Sequence, residues 1–259
     1  MFTCSYLVEI LTPKRTDSTD NKDKINLFAE RYCRSIDLNL GISVPDNPMG
    51  QPRFSLLEMI EQSDLPVVSD LTVMNLNTFH TKEELDGLLK KADKMGVKYL
   101  LVIRGDGGPK LSKLDAASIG GDKTVSTSTD LLRYINTAYK GKFITGCAYN
   151  HYNPIQFESN RLKQKIEAGA KFVITQPVIG QDSNVESLFD FGIPVVVEAW
   201  MSKNLELLFK SVRKQKDERA ENYDPINNLR VLHETYPNSC IYLSMLGFKK
   251  QWRHILPRL

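Results

Sequence analysis

The sequence predicts an α/β fold, a (β/α)8 barrel forming a single domain over residues 1–259. Three observations carry this reading. Eight short apolar runs alternate with stretches of helical periodicity. Spacers of this length imply parallel strands joined by right-handed crossovers. The length of 259 residues, with no linker or break in composition, suits one barrel. An open doubly wound sheet would want a GxGxxG after its first strand, and that signature is absent.

In chain order, the first strand is expected over 4–11, with a single acid, Glu9, inside it. A polar loop over 12–24 leads to a helix near 25–35, a second strand over 38–44, a short helix near 55–62 and a third strand over 66–71. Leu85, Leu88, Leu89, Ala92 and Met95 fall at helical spacing over 82–95, and Gly96 suits a helix stop. The run Tyr99 to Ile103 reads as a strand buried on both faces, ending abruptly in Arg104, Gly105 and Asp106. Residues 111–129 form a long Ser/Thr/Gly-rich loop, the best placed to act as a mobile lid. Beyond it come a helix over 129–139, a strand over 143–149, a helix over 158–168 closed by Gly169, and a strand over 171–176. Next are a helix near 185–191, a strand over 194–199, a helix over 204–214 and a charge run over 214–221. The chain finishes with a helix over 225–236, an eighth strand over 240–245 and a terminal helix carrying Trp252.

Composition narrows the function. The net charge of +3 is far too weak to argue for nucleic acid. No apolar run approaches the ~20 residues needed to span a bilayer, and no signal peptide is evident, so a cytoplasmic location is expected. The four cysteines (Cys4, Cys33, Cys147, Cys240) lie far apart without a CxxC and read as small buried hydrophobes in a reducing compartment. With four histidines and no HExxH or HxH, no metal site is expected.

In a barrel, site residues gather at the carboxyl ends of strands. By strand, this chain offers Glu9; Asp70 and Thr72; Arg104 and Asp106; Tyr149, Asn150 and His151; Thr175 and Gln176; Glu198 and Trp200; Tyr242 and Ser244. Carboxylate, amide, phenol and guanidinium groups facing one mouth suit a flat polar heterocycle. No Ser or Cys pairs with a His and a carboxylate in an obvious nucleophilic motif. Burial of Glu9 in an apolar strand would raise its pKa and fit it for general acid work. Each candidate has a plainer role: an edge-strand Glu9 facing water, Gln176 tying a loop, a solvated Lys165, a loop His151, Trp200 packed at the rim, or Arg104 and Asp106 paired only with each other.

Three motifs carry a family likeness. Lys163-Gln-Lys-Ile-Glu-Ala-Gly-Ala-Lys-Phe-Val-Ile-Thr-Gln176 closely resembles the LKxKxxAGAxxxITQ signature of methylenetetrahydrofolate reductases. Val102-Ile-Arg-Gly-Asp106 resembles that family's LRGD strand end, and Val8-Glu-Ile-Leu-Thr-Pro-Lys14 is similar to its first strand, FEFFPPK. The resemblance implies a flavin-containing barrel in which FAD takes a hydride from NADH or NADPH and reduces 5,10-methylenetetrahydrofolate to 5-methyltetrahydrofolate. Glu9 and Asp106 would be the catalytic residues: Glu9 would help open the imidazolidine ring by protonation, and Asp106 would sit by flavin and pterin. Gln176 would hydrogen-bond the reduced pterin, with Tyr242 added to the substrate side from its place on the eighth strand. Arg104, Gly105, Asp106, Ala148, Tyr149 and Lys165 match positions that hold FAD, and His151 is a further candidate there.

The chain also departs from the pattern. The family's third strand ends in HLT, for which Asp70-Leu-Thr72 stands here; its PExH after the fifth strand is missing, and the threonine of its SVT is Pro45. These changes fall on the cofactor side, while Glu9, Asp106 and Gln176 are kept. Two other readings stay open: a flavin-free tetrahydrofolate-binding barrel acting as a methyltransferase with a corrinoid-protein or other methyl-group partner, and a non-catalytic subunit of a one-carbon enzyme complex. A homo-oligomer is compatible with either.

Overall fold

The structure is a computed structural model that describes residues 4–15, 21–122, 124–215 and 221–252. Eight parallel strands close into a barrel in sequence order: β1 (Tyr6–Glu9), β2 (Gly41–Val44), β3 (Thr72–Leu76), β4 (Tyr99–Val102), β5 (Ile144–Tyr149), β6 (Phe172–Thr175), β7 (Val195–Trp200) and β8 (Cys240–Ser244). β1 and β8 pair in register, Leu7 against Tyr242, and so close the ring. Among the described residues the helices outside it are α1 (Asn21–Asp37), α2 (Leu56–Ser63), α3 (Lys82–Lys94), α4 (Ser128–Ala138), α5 (Ile155–Glu167), α6 (Ser183–Glu186), α7 (Glu206–Val212) and α8 (Pro225–Thr235).

Alternation along the strands makes two apolar layers. Leu7, Val73, Tyr99, Leu101, Phe172, Ile174, Val196 and Tyr242 fill the barrel, while Val8, Ile42, Met74, Leu100, Val173, Val197 and Ile241 pack outward beneath the helices. Local chemistry sets where the helices start. Ser55 with Glu58, Thr81 with Glu84, and Thr127 with Asp130 form reciprocal caps ahead of α2, α3 and α4.

Several expected boundaries move. The third strand is not 66–71: β3 begins at Thr72 and runs through Asn75. The Val67-Val68 pair is the more β-like sequence, yet both residues lie half-buried below the barrel. Asn75 looks wrong for a buried strand, but inside the ring Ser43 donates to its Oδ1 at 3.1 Å, which satisfies it. The helix near 185–191 is one turn of α-helix followed by a 3-10 turn, Ser187–Phe191. The loop over 111–129 is pinned rather than open: Leu114, Ala116 and Ile119 are buried, Leu114 N–H donates to Thr78 O, and Ser126 donates to Leu114 O. Most of the charge run over 214–221, and the terminal helix past Trp252, lie outside the described residues. All four cysteines are free thiols. No helix among the described residues is long and apolar enough to cross a membrane.

Candidate active site

The mouth at the carboxyl ends of the strands has two dissimilar halves. One is built by β1, β7 and β8. Glu9 ends β1 with the inward parity of Leu7, and Tyr242 Oη donates to its Oε2 at 2.9 Å. Glu198 pairs in register with Tyr242 and shares its inward parity. Burial raises the Glu9 carboxyl above its ordinary pKa, although the Tyr242 hydroxyl, the Met245 N–H and the positive charge of Arg53 all pull the other way. Glu198 is raised well above the ordinary value, first by burial and then by the negative charge of Glu9, against a hydrogen bond from Ser244. Two carboxyls and a phenol thus share one poorly solvated corner.

The other half is a cleft of about 260 Å³ between β4, β5 and β6, whose wall includes Arg104, Gly105, Asp106, Ala148, Lys165 and Gln176. Gly105 and Gly107 adopt positive φ, which lets the loop after β4 fold back tightly. A Cβ on Gly105 would come within 2.7 Å of Asn77. Asp106 is exposed, and its Oδ2 accepts from Met49 N–H at 2.7 Å, so the β2 and β4 loops are tied together through the carboxylate. Arg104 is exposed as well, and the plainer reading, in which Arg104 and Asp106 pair only with each other, gives way to this tie. Gln176 N–H donates to Tyr149 O, fixing the turn that follows β6.

Lys165 is not a solvated lysine. It is 5 % exposed on α5, donates from Nζ to Ala148 O at 2.6 Å, and has its pKa lowered by burial. Glu158, about two turns earlier on α5, is also buried, lines the same cleft, and accepts from Asn153 and Arg161.

Other sequence candidates fall elsewhere. Asp70 lies at the amino end of β3, exposed and bonded to Lys98 at 2.7 Å, so it is not the third strand's site residue. The carboxyl end of β3 presents Asn75 and Asn77 instead. Thr72 is buried beside the Tyr32 hydroxyl, and Thr175 Oγ1 accepts from Glu198 N–H, so both serve structure. Tyr149 packs in the outward apolar layer and His151 is buried against the Tyr152 ring at 4.1 Å; neither side chain lines the cleft. Trp200 takes its plain role, bonded to Asn204 O within a small cluster at the rim.

Sequence reasoning passed over Asp46 and His80. His80 Nε2 lies 2.7 Å from Asp46 Oδ2, which also accepts from Asn77 N–H at 3.0 Å. Burial alone would lower the His80 pKa, but the Asp46 hydrogen bond and charge outweigh it and the value is raised. No group of three or more His, Cys, Asp or Glu suited to a metal ion occurs among the described residues.

Comparison with known proteins gives a family and a fold. Residues 4–191 match the family described as methylenetetrahydrofolate reductase. Over 111 residues the chain is 32 % identical to methylenetetrahydrofolate reductase 1 of Schizosaccharomyces pombe, a match covering 41 % of this chain and 17 % of that protein. Among solved structures, dihydropteroate synthase of Xanthomonas albilineans superposes with a TM-score of 0.50 at 10 % identity, covering 100 % of this chain and 96 % of the other. A 2,3-dimethylmalate lyase gives 0.50 at 9 % identity, with 97 % and 79 % covered. At such identities these structures share the barrel and nothing further is carried over from them.

Proposed function

The chain belongs to the methylenetetrahydrofolate reductase family, and from that premise we propose that it reduces 5,10-methylenetetrahydrofolate to 5-methyltetrahydrofolate. The observation that carries this reading is Glu9, an inward carboxyl at the barrel mouth whose pKa burial raises and whose orientation is set by Tyr242. Raising the pKa of a carboxyl makes its protonated form more available to pass a proton to a ring nitrogen. Protonating that nitrogen breaks its bond to the bridging carbon, and the electron pair stays on nitrogen. The cationic iminium left behind accepts a hydride and becomes the methyl group.

Asp106 and Gln176 would hold the pterin across the cleft, the carboxylate accepting from ring N–H groups and the amide both donating and accepting. The donor set around the cleft suits a flavin nucleotide: the Arg104 and Arg161 guanidiniums offer cationic donors, and Gly105 and Ala148 leave room for close approach. Arg104, Gly105, Asp106, Ala148 and Lys165 would hold FAD, which when bound supplies the hydride and is replenished by NADH or NADPH.

A second reading, a flavin-free tetrahydrofolate methyltransferase, draws support from one feature. Tyr149 and His151 do not line the cleft, and the Lys165 ammonium is already committed to Ala148 O. A visible absorption spectrum of the purified protein, before and after reconstitution with FAD, separates the two. Flavin absorption with methylenetetrahydrofolate-dependent oxidation of NADH or NADPH is expected. A protein that stays colourless and moves methyl groups without oxidising either nicotinamide would sink the reductase reading in favour of the second.

A further inference from the structure

Next to Glu9 the chain runs on through Leu11 and Thr12 into an open cleft of about 410 Å³ that has no role in the chemistry above. Among the described residues, four basic side chains line it, Lys14, Lys24, Arg31 and Arg53, and no acid does. Arg31 on α1 lays its guanidinium over the Phe248 ring at 4.4 Å. Arg53 donates to Thr12 O and feels the charge of Glu9. Burial lowers the pKa of both arginines. Arg31 Nε, Arg53 Nε and Thr12 Oγ1 are buried without a hydrogen-bond partner among the described residues.

Half-burying two guanidiniums with no carboxylate of the described residues in ion-pair contact is costly, and the usual remedy is such a pair. Nearby Arg15 shows that remedy, forked onto Glu58. Among the described residues Arg31 and Arg53 have no such pair. Their planar forks match a carboxylate or phosphate group.

We infer that Thr12, Arg31 and Arg53, with Lys14 and Lys24 at the rim, form an oxyanion-binding site at the β1 side of the barrel mouth. Its ligand is a carboxylate or a phosphate group. The cleft is far larger than one ion, so the anionic end of an organic molecule can enter. Because the site adjoins Glu9, the source its position favours is the carboxylated tail of the reduced pterin; that identification rests on the proposed function, whereas the oxyanion site does not.

The test is calorimetric titration of the full chain with inorganic phosphate, with tail-less tetrahydropterin, and with tetrahydrofolate. Each is run on the native protein and on the Arg31→Gln and Lys24→Gln variants, with melting curves to confirm folding. Lys24 is exposed, so its variant keeps the test alive if Arg31→Gln fails to fold. The native protein is expected to bind tetrahydrofolate at least ~10-fold more tightly than tetrahydropterin, a gain weakened by salt and largely lost in both variants, while tetrahydropterin binding is unchanged. Phosphate binding that depends on Arg31, with no gain from the tail, supports the oxyanion site and overturns the tail as its source. Phosphate binding without binding of either pterin keeps the site and overturns the pterin reading. If neither phosphate nor the tail senses Arg31 or Lys24, the oxyanion site is wrong.

Discussion

Glu9 and Asp106 are both carboxylates at the mouth of one barrel, yet their surroundings are opposite. Glu9 ends a buried strand, takes a hydrogen bond from Tyr242, and stands near a second raised carboxyl, Glu198. Asp106 rides an exposed glycine-rich loop and is held by one backbone N–H from Met49. The first setting removes water and so governs where a proton sits. The second leaves charge in water, where it can meet a polar ligand without a large desolvation cost. Under the proposed function, one half of the mouth would serve proton transfer and the other would grasp the ligand.

The sharpest way to break this contrast is to neutralise the proton-holding side. Glu9→Gln keeps size and polarity but has no proton to give, so turnover should fall about 10²- to 10⁴-fold while 5-methyltetrahydrofolate still binds. Steady-state rates and a binding titration check this together, and an unchanged rate would reassign the acid. On the grasping side, the largest expected effect comes through the backbone. Gly105 has φ +79° and its Cβ would meet Asn77 at 2.7 Å. Gly105→Ala should therefore cost about 1–3 kcal/mol, read as a lower melting temperature, and should weaken pterin binding by displacing Asp106. A variant as stable as the native chain would show that the loop has room to shift.

How much of this could be read before the structure follows from the same contrast. Hydrophobic period and spacer length reach the barrel because each strand and helix is a local pattern. That Asp106 and Gln176 line one cleft could be anticipated because each follows a recognisable strand with a motif around it. The third strand was misplaced because Asn75 disguises it, and its compensation by Ser43 comes from a different strand. Glu9, Glu198 and Tyr242 were expected at one mouth, but the hydrogen bond from Tyr242 to Glu9 was out of reach for the same reason. Tyr242 lies 233 residues from Glu9 in sequence, and only closure of β1 on β8 brings them together. Arg31 and Arg53 belong to no motif; what marks them is a buried Nε with no hydrogen-bond partner among the described residues, a property of packing alone.

Tyr242→Phe sharpens the proton-holding side more gently. The hydroxyl stabilises the ionised form of Glu9, so removing it raises the Glu9 pKa further. A step that needs protonated Glu9 then persists to higher pH, and the alkaline fall of the rate profile should move upward, with a loss of about tenfold or less at the optimum from poorer orientation. A profile that stays put would mean that another group controls that limb.

The smallest effect expected is on stability, at Glu198. Its carboxyl is raised well above the ordinary value by burial and by the charge of Glu9. Folding therefore favours the protonated form. That contribution is complete below the pKa of the unfolded chain and is lost as pH rises through the raised folded value, when a second negative charge is forced into the corner. Glu198→Gln is neutral throughout. It should melt together with the native chain in acid and above it in alkali, by roughly 2–4 °C for each ~1 kcal/mol relieved. Calorimetric melts from pH 4 to pH 9 give the difference curve. If the two curves stay parallel across that range, Glu198 is hydrated, and the corner around Glu9 is as wet as the cleft around Asp106.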